Sequence, residues 1–329
     1  MKNQLTTTSK KLLKVWIKMN SENKHIPVLL KEVIEGLNIK SDGVYLDLTL
    51  GRAGHSKEIL SRLGPKGLLI GVDQDIEAIK ESEARLSKVG SNYKIVKSNF
   101  VEIESILKSL NIDKVDGILM DLGVSSPQFD ESERGFSYRY NAPLDMRMDL
   151  DQELTAQIVV NTYSEAELRK IFYEYGEDKY SSSIARNIVK ARTEKPIKTT
   201  FELVEIIKRS KPAKELKKVG HPAKQIFQAL RIEVNKELDV LKRTLKVLPN
   251  YLNSKGRLAI ITFHSLEDKL VKNVFKELTV VEGNRNDFPT ELETKDFVLV
   301  TRKGIKATSE ELELNHRSAS ATLRIIERK

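Results

Sequence analysis

The sequence predicts an α/β protein in which an all-helical domain is inserted into a doubly wound, mostly parallel sheet domain. Apolar strand patterns alternate with amphipathic helical patterns between residues 43 and 123. Strand patterns are absent between residues 129 and 221, and they return after residue 256. We therefore predict a sheet domain of residues 25–130 and 222–329 and a helical domain of residues 131–221. Residues 1–24 are expected to form a disordered basic extension.

The first half of the sheet domain has the order of a parallel sheet. Strands are predicted at residues 44–48, 68–72, 94–97 and 117–121, with helices between them at residues 56–63, 76–89 and 103–110. Such units have right-handed crossovers and bind ligands at the carboxyl ends of their strands. Asp47, Asp73, Phe100 and Asp121 fall at these ends, so we expect the site at this edge of the sheet.

After the insertion, apolar residues spaced three and four apart predict one long helix over residues 226–248. A buried strand at residues 256–263 and a helix at residues 266–275 follow. The last strands are predicted at residues 297–301 and 322–327, in part antiparallel.

The inserted domain carries much of the positive charge. Residues 160–220 hold 14 basic and nine acidic side chains, and residues 1–24 hold six lysines and one glutamate, in a chain of net charge +9. Ser164 with Glu167 and Thr199 with Glu202 have the spacing of capping boxes, which predicts helix starts. A nucleic-acid partner docking on this domain would explain the charge. Solvated faces of lysine-rich helices are the alternative.

A glycine loop after the first strand predicts a nucleotide cofactor. Gly51 and Gly54 would allow close approach of the backbone to a ligand, and Asp73 lies 22 residues beyond Gly51, near the spacing of an acid that binds a ribose. The loop lacks the patterns of dinucleotide and triphosphate sites. Asp47 would repel a pyrophosphate and could hold an ammonium group. These features favour S-adenosylmethionine over NAD or ATP; a glycine turn in an ordinary α/β core is the alternative.

The turn after the fourth strand is the predicted place of chemistry. Asp121, Ser125, Ser126 and Pro127 could supply acceptors for the N–H groups of an exocyclic amine. Such acceptors would restore nucleophilicity to a lone pair that is delocalised into a base. A turn that needs these residues for geometry alone is the alternative.

Composition excludes several classes of protein. The chain has no cysteine, so disulfides, thiolate catalysis and cysteine-ligated zinc are excluded. The histidines lack the spacing of a metal site, and we expect no metal. No stretch reads as a membrane span or a signal peptide, so a cytoplasmic location is expected.

Eight motifs in order resemble the ribosomal RNA small-subunit methyltransferase H family, also called MraW, from His25 to the C-terminus. The motifs begin at His25, Gly51, Asp121, Glu133, Pro143, His221, Phe227 and Phe263. The resemblance implies a class I S-adenosylmethionine-dependent methyltransferase with a Rossmann-like sheet. It also implies methylation of N4 of a cytidine in the decoding region of 16S rRNA, on the small ribosomal subunit.

By this resemblance the cofactor contacts fall on Ala53, Gly54, His55, Asp73, Phe100, Asp121 and Gln128. Ala53 stands where the family usually has glycine, and His316 where it usually has proline.

Arg134, Arg147, Arg231 and His264 are candidate substrate contacts. For the arginines, structural ion pairs are the alternative. We expect His25 and His221 to be structural.

Two other functions remain open at this stage. The acceptor could be DNA or another RNA amine, or the chain could be an assembly factor that uses S-adenosylmethionine only as a structural ligand. The sequence does not decide the oligomeric state, and a homodimer is one option.

Overall fold

The computed structural model describes residues 26–123, 132–280 and 295–329. In these residues seven strands form one sheet in the order β3-β2-β1-β4-β5-β7-β6. Neighbours from β3 through β5 are parallel, and β7 is antiparallel to both β5 and β6. The strands are β1 Val44–Asp47, β2 Leu68–Asp73, β3 Tyr93–Lys97, β4 Val115–Asp121, β5 Leu252–Thr262, β6 Phe297–Leu299 and β7 Thr322–Arg328. The predicted doubly wound, mostly parallel sheet is confirmed.

Helices cover both faces of this sheet because its central strands are apolar on both sides. In β4, Ile118 and Met120 pack into the core on one face, and Leu119 packs into the core on the other. The helices outside the inserted segment are α1 Leu30–Leu37, α2 Gly54–Leu60, α3 Ile76–Leu86, α4 Ile103–Ser109, α11 Glu237–Val247, α12 Ser265–Thr279 and α13 Ser309–Leu314. Residues of α1, α2 and α3 bury one face, and residues of α4, α11 and α12 bury the other.

The middle of the chain forms a separate helical core. Its helices are α5 Ala156–Thr162, α6 Glu165–Glu174, α7 Ser181–Glu194, α8 Thr200–Arg209, α9 Ala213–Leu216 and α10 Lys224–Asn235. Both predicted capping boxes are present, with Ser164 and Glu167 starting α6 and Thr199 and Glu202 starting α8. The apolar faces of these helices meet in one cluster that includes Leu168 and Phe172.

The prediction of one long helix over residues 226–248 is wrong. The chain breaks at Lys236, whose φ of 50° is left-handed, and continues as α11. The Asn235 side chain donates to the carbonyl of Met146 at 2.8 Å and accepts the N–H of Met148 at 2.8 Å, which fixes the break against another segment. As a result α10 packs in the helical core and α11 against the sheet. The division of the chain at residue 221 stays a prediction. Helix α10, which packs in the helical core, lies beyond this boundary.

Among the residues that the structure describes, no helix combines the length and the apolar character that crossing a bilayer requires.

Candidate functional site

Three carboxylates meet at one edge of the sheet. In the parallel register Asp47 lies opposite Gly71 of β2 and Leu119 of β4, so β2 and β4 each extend two residues beyond the end of β1. Asp73 and Asp121 are the last residues of their strands. The Asp121 N–H donates to Thr49 Oγ1 at 2.6 Å, which joins the turn after β1 to the end of β4.

Asp73 closes the glycine loop. Its Oδ2 accepts the Gly51 N–H at 2.8 Å, and its Oδ1 accepts the Asp75 N–H at 2.9 Å. Gly51 adopts a φ of 49°, the left-handed conformation that glycine takes at little cost. Burial raises the pKa of Asp73 to about 6, although these two hydrogen bonds oppose the shift. A carboxylate oxygen has two lone pairs, so each oxygen keeps one that can accept a ribose hydroxyl.

The two residues after Arg52 have different constraints. A Cβ on Gly54 would lie 2.5 Å from Pro27 Cγ, so this glycine makes room for Pro27; the close approach of a ligand stays a prediction. Ala53 has a φ of 55° just before α2 and is fully buried. A left-handed conformation costs a residue with a Cβ about 1–2 kcal/mol, which gives a physical reason for a glycine at this position.

Asp47 anchors the turn after β1. Its side chain accepts from Ser56 Oγ at 2.7 Å and from the Thr49 N–H at 3.1 Å, and only 2% of the residue is exposed. Burial raises the pKa of this carboxyl. A group so enclosed does not present an open face to a ligand, so the predicted contact with an ammonium group is not supported.

The third carboxyl, Asp121, has an oxygen without a hydrogen-bond partner among the described residues. Its Oδ1 is buried and has no hydrogen-bond partner among the described residues, while Oδ2 lies 3.7 Å from His55 Nδ1. Burial raises the pKa of Asp121 well above its usual range, and the charges of Asp47 and Glu267 raise it further. Such a carboxyl binds a proton or an N–H donor more readily than an exposed one.

His55 is neutral at physiological pH. Its Nε2 lies 2.9 Å from the carbonyl oxygen of Val28, which can only accept, so Nε2 carries the hydrogen. Burial lowers the pKa of His55 to about 4. The lone pair of Nδ1 therefore faces Asp121 Oδ2 at 3.7 Å, which is too long for a hydrogen bond, so the neutral His55 gives this carboxyl no counter-charge.

A second polar group lies beyond the end of β5. His264 Nε2 is 3.1 Å from Glu267 Oε1, and the other oxygen of Glu267 accepts the Phe263 N–H at 2.7 Å. Both His264 ring nitrogens are buried and lack a partner of good hydrogen-bond geometry among the described residues. Burial opposes ionisation of Glu267, but His264 and Arg231 keep the pKa of this carboxyl below its usual value.

Glu237, His264 and Glu267 lie close enough together to hold a metal ion. However, Arg231 donates to both oxygens of Glu237 at 2.8 Å, so this carboxylate is already neutralised by an arginine. The chemistry of the group therefore favours an ion-pair network over a metal site. Sequence reasoning missed Glu237 because its partner Arg231 lies across the unpredicted break; the His-x-x-Glu spacing of His264 and Glu267 was a usable signal.

The three candidate arginines make intramolecular ion pairs. Arg134 pairs with Asp75 at 3.1 Å and donates to the carbonyl of Arg147, and Arg147 is bidentate to Asp145. Arg231 pairs with Glu237. These contacts agree with the structural alternative, and an RNA contact by any of the three stays a prediction.

The remaining predicted residues divide into two groups. Phe100 begins a short 3-10 turn at the end of β3 and is partly buried, and Asn99 caps this turn by accepting the Val101 N–H at 3.0 Å. The others lie outside the described residues: Ser125, Ser126, Pro127, Gln128 and His25.

Comparison with known proteins identifies the family. The model of the MraW methylase family matches residues 22–329. The chain belongs to this family. Membership confirms the predicted methyltransferase class, its fold class and S-adenosylmethionine as the cofactor.

Similar proteins cover nearly the whole chain. A relative from Mesoplasma florum is 54% identical over 310 residues, which are 93% of this chain and 99% of the relative. Relatives from Clostridium botulinum strain Kyoto and Mycoplasma mycoides are 56% and 51% identical, over 92% and 93% of this chain and 98% and 99% of their own lengths. All three are named ribosomal RNA small subunit methyltransferase H.

A solved structure titled as a putative rRNA-methylase from Clostridium thermocellum is also similar. It has a TM-score of 0.41 and 10% identity, over 93% of this chain and 100% of that one. This level of similarity carries no weight in the assignment.

Proposed function

We propose that this protein transfers a methyl group from S-adenosylmethionine to N4 of a cytidine in 16S rRNA, on the small ribosomal subunit. The relatives named as small-subunit rRNA methyltransferases support this substrate. The observation that carries the chemistry is Asp121, a partly exposed carboxyl at the end of β4 whose buried Oδ1 has no hydrogen-bond partner among the described residues.

The charge at the sheet edge fits a cationic ligand. Asp73 and Asp121 have no lysine or arginine ion-pair partner within residues 26–123, 132–280 and 295–329. A pyrophosphate would be repelled by these carboxylates, whereas a sulfonium would be attracted. We assign the ribose hydroxyls to Asp73, the adenine to Phe100, and further contacts to Ala53, Gly54, His55 and Gln128.

When bound, S-adenosylmethionine supplies an electrophilic methyl carbon on a cationic sulfur. We assign to Asp121 the N–H groups of the cytosine N4 amine. A carboxylate that accepts these hydrogens holds the nitrogen lone pair out of conjugation with the ring. Ser125, Ser126 and Pro127 remain the predicted further acceptors.

Methylation leaves one surplus proton on N4. Transfer of the methyl group would leave the positive charge of the donor on this nitrogen. Asp121, whose pKa burial and neighbouring acids raise, can take that proton and release it to water. His264, Arg134, Arg147 and Arg231 are retained as candidate substrate contacts, with His264 the one that lacks a well-formed hydrogen bond among the described residues.

The proposed function is tested by methyl transfer to isolated subunits. The full-length protein and methyl-labelled S-adenosylmethionine are incubated with small subunits from a strain that lacks the modification. We expect label in one cytidine of 16S rRNA. Label in DNA or in another RNA would overturn the acceptor assignment, and tight subunit binding without label would favour the assembly factor.

Asp73→Ala is the matched control in this experiment. We expect it to abolish cofactor binding in calorimetry, because the loop loses its anchor and the ribose loses its acceptor; unchanged affinity would refute the ribose assignment. Because the pKa of Asp73 is raised to about 6, its carboxylate gains a proton as the pH falls through that value. Wild-type affinity for the cofactor should therefore fall below about pH 6.

A ribosomal substrate implies a cytoplasmic location, which we propose on that ground alone. A homodimer also stays a proposal, and sedimentation of the purified protein decides it.

A further inference from the structure

Two aromatic rings stack on the surface of the helical core. The Tyr138 and His221 rings lie 4.2 Å apart between centroids and are inclined by 8°, so they are stacked, and a further ring can stack only on the outer face of the pair. The Phe227 ring meets Tyr138 edge-on at 5.7 Å. Phe227 is buried in the core, whereas Tyr138 and His221 are only partly buried. The pair is thus held in place from below and remains in part accessible.

His221 offers a free hydrogen-bond donor beside this surface. Its Nδ1 accepts the Ala223 N–H at 3.3 Å, so in the neutral ring the hydrogen is on Nε2. Nε2 has no partner in the described part of the chain, and it is absent from the buried unpartnered atoms, so it reaches solvent. Burial lowers the pKa of His221, and the charges of Lys208 and Arg139 lower it further, which keeps the ring neutral.

The two cations that act on His221 are themselves accessible. Arg139 is exposed, and its guanidinium makes no hydrogen bond or ion pair within the described ranges. The Lys208 side chain is 41% exposed and pairs with Glu205 on its own helix at 2.8 Å. Positive charge and a flat aromatic surface therefore occur side by side.

Contacts link this surface to the acceptor side of the sheet edge. Ser265, which follows His264, donates to the carboxylate of Glu177. The next residue, Asp178, binds Lys211, and Lys211 donates to the carbonyl of Pro222 at 2.7 Å. Pro222 follows His221 directly. These contacts tie the segment that carries His221 to the segment that follows His264, the candidate substrate contact.

We propose that Tyr138, His221, Arg139 and Lys208 form a binding subsite for an unpaired nucleotide that neighbours the methylated one. This inference rests on the proposed rRNA substrate. A base stacks against the ring pair, and its phosphate binds Arg139, Lys208 and the His221 Nε2–H. Single-stranded RNA is recognised in this way by aromatic faces and basic side chains, whereas an acidic protein partner would use the charges and leave the rings unused.

The test compares kcat, KM for small subunits and cofactor affinity among single variants. Tyr138→Leu keeps an apolar contact with Phe227 but removes the stacking face, and we expect KM to rise about tenfold. Arg139→Gln and Lys208→Gln should each raise KM and reduce the salt dependence of binding by about one phosphate contact. Tyr138→Phe keeps the ring and should behave as wild type. In all four, kcat and the affinity for S-adenosylmethionine should stay unchanged.

Lys88→Gln is the matched charge control. Lys88 is exposed near the end of α3, on the sheet part of the molecule, and the same loss of charge there should leave KM unchanged. Unchanged KM in Tyr138→Leu, Arg139→Gln and Lys208→Gln would overturn the subsite. An equal effect of Lys88→Gln would reduce it to general attraction of charge, which also overturns it. If Tyr138→Leu unfolds, the two charge variants decide.

Binding of subunits without cofactor, measured by filter retention, separates this inference from the proposed function. Loss of retention in the variants supports the subsite even if the wild-type protein transfers no methyl group. Methyl transfer with equal retention and KM in every variant supports the function and refutes the subsite.

Discussion

Acids with a buried carboxylate oxygen have different surroundings in the two parts of the molecule. In the helical core, Asp178 is 1% exposed, and it binds both the Lys211 ammonium and the Tyr180 N–H. At the sheet edge, Asp121 faces a neutral histidine and two other acids, and one of its oxygens has no described partner. An acid that is paired with a cation supports the fold, whereas an acid without a cation is available to a ligand.

The same distinction, between side chains with and without an ion-pair partner, also applies to the arginines. Arg134, Arg147 and Arg231 lie in sequence motifs of the family and were natural candidates for phosphate contacts, yet each is paired with a carboxylate of the protein. Arg139 lies among them in the sequence and has no such partner in the described residues. An RNA contact by the three paired arginines stays a prediction, whereas Arg139 has no acid among the described residues that neutralises it.

Asp121→Asn should have the largest effect on activity. The amide cannot take a proton, and it offers one acceptor oxygen in place of two, so we expect kcat to fall by about 10²–10⁴-fold. The free energy of unfolding should not decrease, because the substitution removes an uncompensated acid. Single-turnover methyl transfer and thermal unfolding measure the two effects.

An Asp121→Asn protein that is destabilised and fully active per folded molecule would contradict this distinction. Asp151→Asn is the control, because Asp151 is an exposed acid paired with Lys97. It should change neither activity nor stability measurably.

Asp178→Asn in the helical core should lower stability and leave activity unchanged, the reverse of Asp121→Asn. The variant leaves the buried Lys211 ammonium without its counter-charge, and breaking such a pair costs about 3–5 kcal/mol of folding stability. Denaturant unfolding measures the loss, and activity per folded molecule at low temperature should remain near that of wild type.

A second substitution tests the cause. Adding Lys211→Met to Asp178→Asn removes the unpaired cation, so the double variant should recover part of the lost stability. No recovery would mean that the Tyr180 N–H contact, which the first substitution weakens, accounts for the loss.

The sequence was sufficient for the parallel sheet and for the position of Asp47, Asp73 and Asp121 at the ends of its strands, because both follow from short patterns along the chain. It was insufficient at Lys236, where one left-handed residue divides two helices without interrupting the three-and-four spacing of apolar residues. The Arg231 and Glu237 pair spans that break, so it was not predicted. The packing of Gly54 against Pro27 was not predicted either, because the two residues are distant in sequence.

Ala53→Gly should have the smallest effect. Glycine relieves a left-handed conformation that costs alanine about 1–2 kcal/mol, but it loses a buried methyl group worth about 0.8 kcal/mol and gains about 0.4–1 kcal/mol of unfolded-state freedom. These terms nearly cancel, so we expect the free energy of unfolding to change by less than about 1 kcal/mol and cofactor affinity to stay the same.

Ala53→Val is the contrasting variant, because a β-branched residue at a φ of 55° in a buried turn adds both strain and volume. It should lower both stability and cofactor affinity. If valine were tolerated as well as glycine, the conformation of Ala53 would not constrain the loop that Asp73 holds.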